Sequence, residues 1–173
     1  MKVLTFAASN SKKSINKQLA IYASSLIEDA EVEVLDINDY EMPIYSQDRE
    51  EELGIPERAK LFYSKIAHVD AVVVAFAEHN GSYTAAYKNL FDWTSRIDMK
   101  VYQNKPMILL ATSPGPGGAS SVLGTAINSA PFFGANVKGS LSVPSFFDHF
   151  DLVENKMTDS DLLSELKKTM DKL

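Results

Sequence analysis

Residues 69–93 read VDAVVVAFAEHNGSYTAAYKNLFDW. From Ala71 to Phe76 every side chain is apolar, with no polar residue at alternate positions. A strand of that kind has no face to offer water, so it belongs in a parallel sheet covered on both sides. The run gives way to Glu78, His79, Asn80 and Gly81, and a helical pattern from Thr84 to Arg96 takes over at once. Strand, polar hinge and helix in direct succession are one unit of an alternating α/β chain.

The same alternation extends in both directions. Val3–Ala8, Val32–Ile37, Met107–Thr112 and Val137–Val143 read as four further strands. Ser14–Ile27 sets Ile15, Leu19, Tyr22, Ala23, Leu26 and Ile27 on one helical face. Pro56–Ala67 is helical with proline in its first turn, and Ser120–Phe133 is a helix ended near Gly134. Ser160–Lys172 is a terminal helix capped by Asp159 or Ser160. Five rounds of strand and helix predict one doubly wound α/β domain over residues 1–173, with right-handed crossovers and helices on both faces of the sheet. The acidic stretch Asp36–Gly54 carries few structural signals and reads as a long solvated connection.

Composition narrows the function. A net charge of −6 leaves no basic face for nucleic acid and no electrostatic hold on an anionic membrane. The chain contains no cysteine, which excludes disulfides, thiolate metal sites and a cysteine nucleophile. Any redox chemistry therefore belongs to a bound cofactor. The opening MKVLTFAAS has the look of a signal peptide, but its apolar run is short and Lys12 and Lys13 follow. It reads as a first buried strand, in a soluble protein of the cytoplasm.

In doubly wound sheets, ligands sit beyond the carboxyl ends of the strands, near the switch in strand order. That rule selects the loops after strands one, three and four. The first, ASNSKKSIN at residues 8–16, collects Ser9, Ser11, Ser14 and Asn16 where a helix begins; this serves either an anion or simple capping by Ser14. It lacks the glycine spacing of a dinucleotide fingerprint or a nucleotide P-loop. The second loop has Asn80 and Gly81 for a turn and His79 as either a surface histidine or a general acid or base. In its helix, Lys88 and Asp92 are spaced to pair, and Trp93 is placed for the core or a subunit contact. The third loop, TSPGPGGASS at residues 112–121, has Gly115, Gly117 and Gly118 within four residues, more than a tight turn requires.

Together the three loops resemble the NAD(P)H-dependent FMN reductase family, flavodoxin-like enzymes that include quinone, azo-dye and chromate reductases. Their opening pattern G-S-x-R-x-x-S-x-N is similar to ASNSKKSIN. Their P-E-Y-N-x-S followed by P-G-x-L-K-N-x-x-D-W is similar to AEHNGSYTAAYKNLFDW, with Glu78, Asn80, Gly81, Ser82, Lys88, Asn89, Asp92 and Trp93 in register. The resemblance covers about residues 1–145. It implies a three-layer sandwich with sheet order 2-1-3-4-5. It implies an FMN phosphate site at Ser9, Ser11, Ser14, Ile15 and Asn16. It also implies a ring-side loop at Glu78, His79, Asn80 and Gly81, and a second at Ser113, Pro114, Gly115, Gly117 and Gly118. NADPH or NADH as co-substrate, a small-molecule electron acceptor and a homodimer or homotetramer follow from the same source. Ser11 stands where the family has arginine, with Lys12 or Lys13 as substitutes; His79 replaces a tyrosine, Thr84–Ala85 a Pro-Gly pair and Tyr87 a leucine. A flavodoxin-type electron carrier without a nicotinamide site is the alternative reading, and a cofactor-free partner-binding module a second one.

Overall fold

The computed structural model describes all 173 residues. The elements run β1 (Lys2–Ala8), α1 (Ile15–Ser24), β2 (Glu31–Leu35), α2 (Gln47–Leu53), α3 (Glu57–Ala67), β3 (Ala71–Phe76), β4 (Glu78–His79), β5 (Ser82–Tyr83), α4 (Ala85–Thr94), β6 (Pro106–Thr112), α5 (Ser120–Ser129), β7 (Asn136–Val143), α6 (Phe146–His149), β8 (Phe150–Asp151), β9 (Lys156–Met157) and α7 (Ser160–Met170). The main sheet has the order β2-β1-β3-β6-β7 with every pairing parallel, which is 2-1-3-4-5 when its own strands are counted. This is the flavodoxin-like order.

Alternation along the strands divides the core into two layers. Leu4, Phe6, Val72, Val74, Met107 and Leu109 point to the face covered by Phe62 and Ile66 of α3, Leu90 of α4 and Val122 of α5. Val3, Ala71, Val73, Ala75, Ile108 and Leu110 point to the other face, under Leu19 and Ala23 of α1 and Leu166 and Met170 of α7. All six residues of β3 are buried, as a central strand clothed on both sides must be. No helix is long and apolar enough to cross a membrane.

Four local expectations are revised. The acidic segment is ordered: it forms a 3-10 turn at Ile37–Tyr40 and then α2, whose first turn is capped by the Ser46 hydroxyl. Strand two stops at Leu35, because the Asp36 carboxylate turns back to cap that 3-10 turn. The helix after the glycine-rich loop is α-helical only to Ser129; Pro131 has no N–H to continue the ladder, and a 3-10 turn closes on Gly134 at φ 77°. Residues 146–157 form α6 and the small β8–β9 hairpin, where no element is expected from the sequence pattern. Asp159 is the cap of α7, accepting the N–H groups of Asp161 and Leu162.

Candidate functional site

The loop from β1 to α1 is built from interlocking hydroxyls. Ser9 Oγ accepts the Ser11 N–H at 3.2 Å, Ser11 Oγ accepts the Lys13 N–H at 3.3 Å, and Ser14 Oγ caps α1 by accepting the Lys17 N–H at 3.2 Å. Each contact uses an oxygen and leaves the hydroxyl proton without an acceptor in the protein. Ser9 and Ser14 are each only 7% exposed. In the first turn of α1 the N–H groups of Ile15 and Asn16 bond to no protein atom. Buried hydroxyls and unpaired amides at a helix start make a cradle for an anion. Thus Ser14 both caps the helix and lines the cradle, and the two sequence readings of this loop are compatible.

Asn16 has a different task from the serines. Its amide donates to the Thr112 carbonyl and its carboxamide oxygen accepts the Thr112 N–H, both at 3.0 Å. That reciprocal pair fastens the start of α1 to the end of β6 and occupies the side chain. What Asn16 presents outward is its backbone amide.

The loop after β3 is a hairpin. Glu78 pairs with Tyr83 and His79 with Ser82, and the two turn residues Asn80 and Gly81 have φ of 53° and 76°. Two successive left-handed residues define a type I′ turn, for which Asn-Gly is the favoured pair. Glu78 is not idle: its carboxylate accepts the Val122 N–H at 2.8 Å, in the first turn of α5. Thr84 caps α4 by accepting the Tyr87 N–H, and its own hydroxyl donates to the Ala8 carbonyl at 3.0 Å. Both contacts fix the hairpin against neighbouring loops.

The loop after β6 is anchored from the far side. Ser145 and Phe146 donate their N–H groups to the carbonyls of Gly115 and Ser113, and Ser142 Oγ donates to the Gly118 carbonyl at 2.8 Å. Gly118 has φ 58°, and a Cβ there would run into the Ser142 hydroxyl and the Pro144 backbone. At Gly115 and Gly117 a Cβ would meet nothing within 4 Å.

These loops converge on an open cleft of about 260 Å³. From the first loop it is lined by Ser9, Ser11, Ser14, Ile15 and Asn16, from the second by Glu78 and His79, and from the third by Ser113 and Pro114. Asn80, Gly81, Gly115, Gly117 and Gly118 shape the bordering loops and do not line it. Lys13, Ala77, Thr112 and Phe147 line it in addition. Phe147 comes from α6, at the carboxyl end of the fifth sheet strand, and is 55% exposed. The strand-end rule that selects the other loops applies to that strand as well, and it is the signal by which Phe147 is found.

Beside this cleft lies a second, of about 280 Å³, bounded by Asn10, the segment 37–44 and the first turn of α4. Its outer wall is held by side chains from three helices. Arg58 donates to the Glu41 carbonyl, Asn89 to those of Met42 and Pro43, Trp93 Nε1 to that of Pro43 at 2.7 Å and Arg49 to that of Ile44. Asn89 Oδ1 also accepts the Tyr45 N–H at 2.8 Å. Trp93 is fully buried and meets Tyr45 edge to face at 5.0 Å. The expected Lys88–Asp92 pair forms, with both carboxylate oxygens within 2.8 Å of the ammonium. On the other side of α4, an aromatic cleft of about 260 Å³ contains the buried Tyr87–Tyr102 hydroxyl pair. Burial raises both phenols above their ordinary range.

Comparison with known proteins agrees with this geometry. The profile of the NADPH-dependent FMN reductase family matches residues 1–149. The chain belongs to that family. Family membership brings FMN as cofactor and a reduced nicotinamide dinucleotide as co-substrate. An uncharacterized protein of Mycoplasma pneumoniae is 30% identical over 156 residues, covering 87% of this chain and 91% of its own length. The 2-hydroxy-1,4-benzoquinone reductase of a Burkholderia species is 34% identical over 129 residues, 73% of this chain; the chain spans 65% of that enzyme's length. Among solved structures, the flavoenzyme NAD(P)H:(acceptor) oxidoreductase FerB from Paracoccus denitrificans superposes with a TM-score of 0.77 at 26% identity. That match covers 98% of this chain and 93% of FerB.

Proposed function

We propose that residues 1–173 act as one FMN-binding domain, a reductase that takes hydride from NADPH or NADH and delivers electrons to a small acceptor. Quinones, free flavin, azo compounds and metal oxyanions are the acceptor classes, with quinones favoured by the names of the relatives. The observation that carries the reading is the polar cleft at the switch in strand order, in a chain of this family.

The residues present fit FMN. The Ser9 and Ser14 hydroxyl protons and the Ile15 and Asn16 amides have no protein acceptor and would serve a phosphate, with Ser11 as a third hydroxyl. The open flanks of Gly115 and Gly117 leave room for a planar ring system to approach the backbone. Bound FMN supplies the redox chemistry, taking up two electrons as hydride and giving them to the acceptor. The Glu78–Gly81 hairpin and the Ser113–Gly118 loop would hold the ring, and the Glu78–Val122 and Asn16–Thr112 contacts keep these loops from shifting. His79 lines the cleft and is the candidate proton donor to a reduced acceptor. A homodimer or homotetramer of the cytoplasm completes the reading, with Lys88 and Asp92 of α4 toward the subunit interface.

Purified protein should be yellow, with the absorption bands of oxidised flavin. Anaerobic NADPH or NADH should bleach them, and a quinone should restore them. A yellow protein that no nicotinamide bleaches would make it a flavodoxin-type electron carrier instead. A colourless protein that leaves FMN fluorescence unchanged would leave only a partner-binding module.

A further inference from the structure

Three lysines stand around the anion cradle, and the structure separates them. Lys17 is committed to Asp36 at 2.7 Å, an ion pair that lowers the Asp36 carboxyl below its usual range and neutralises the lysine locally. Lys12 is exposed and outside the cleft. Lys13 lines the cleft together with Ser9, Ser11 and Ser14. No arginine reaches it: the three of this chain, at positions 49, 58 and 96, do not line the cleft.

The electrostatic balance leaves room for one cation to add to the hold. Glu78 lines the same cleft, and the chain as a whole carries −6. Hydroxyls and amides offer dipoles, and the start of α1 offers about half a positive charge. A full positive charge adds to that hold on a phosphomonoester near its dianionic form. We infer that Lys13 is the phosphate-binding cation of this site, taking over the task for which the family pattern has arginine at the position of Ser11. The inference rests on the FMN reading and concerns which side chain confers preference for the phosphorylated flavin. An ammonium on a flexible, solvent-reached stem acts as a point charge, where a guanidinium would form a paired, planar contact. Its hold on phosphate is therefore weakened by salt.

The test is flavin titration of the full chain, followed by fluorescence, with FMN and with riboflavin, which lacks the phosphate. Lys13→Ala should weaken FMN binding roughly tenfold, leave riboflavin binding unchanged and flatten the dependence of FMN affinity on salt. Lys12→Ala should change none of these. Adding Ser11→Arg to Lys13→Ala should restore FMN affinity and leave it less sensitive to salt than in the parent. Unchanged FMN affinity in Lys13→Ala would overturn the inference, as would an equal loss for riboflavin or an equal loss in Lys12→Ala. If the unaltered chain bound neither flavin, the FMN reading itself would fail, which is a distinct result.

Discussion

Gly115, Gly117 and Gly118 lie within four residues and differ in what the fold asks of them. Gly118 is required by the protein: its φ of 58° and the Ser142 and Pro144 atoms beside it leave no place for a Cβ. Gly117 is required by nothing in the chain, since a methyl there would point into open space. Gly118→Ala should therefore cost about 1–3 kcal/mol in urea unfolding, whereas Gly117→Ala should stay within about 0.5 kcal/mol. If Gly117→Ala keeps its stability but loses FMN affinity, the loop's second glycine serves the ligand. Sequence alone shows that three glycines are too many for a turn. It does not say which one the fold uses, because the clash at Gly118 comes from residues 24 to 26 positions further on. Asn16 is similar: its presence beside the serines is legible, but its partner Thr112 lies 96 residues away.

Among the elements, the segment 41–45 departs furthest from its sequence reading. It has no hydrophobic period and no secondary structure, yet donors from α2, α3 and α4 engage its carbonyls one after another. Such a segment is invisible to local pattern because what orders it sits elsewhere in the chain. Asn89 does most of this, with two amide donations and one acceptance. Asn89→Ala should destabilise by about 2 kcal/mol and should make residues 41–53 the first site cut in limited proteolysis. Asn89→Asp keeps the bond from Tyr45 but sets a carboxylate oxygen against the Met42 and Pro43 carbonyls, so it should destabilise at least as much. The Lys88-Asn89-x-x-Asp92-Trp93 stretch that is similar to the family pattern thus has a local explanation: two of its members hold this wall and the other two pair with each other.

For the whole molecule, the sheet order follows from apolar strands and intervening helices, and the site follows from where such a sheet leaves its loops. That logic recovers the cleft's serines, its hairpin and Ser113–Pro114, while Phe147 needs the fifth strand's exit to be counted too. A ligand that binds only the folded chain stabilises it by mass action. FMN at about 100 times its dissociation constant should add about 2.7 kcal/mol to unfolding, and riboflavin at the same concentration should add less. A thermal melt with each flavin measures both.

The Asn16–Thr112 clasp has a consequence for traffic through the site. It joins the wall at α1 to the strand that carries the glycine loop, and Glu78 joins the hairpin to α5 in the same way. Opening the cleft by moving either wall would mean parting these bonds, buried at Asn16–Thr112 and half-buried at Glu78–Val122. On the proposed reading the site is a fixed berth, and FMN would enter and leave it through the mouth where the exposed Lys13, His79 and Phe147 stand.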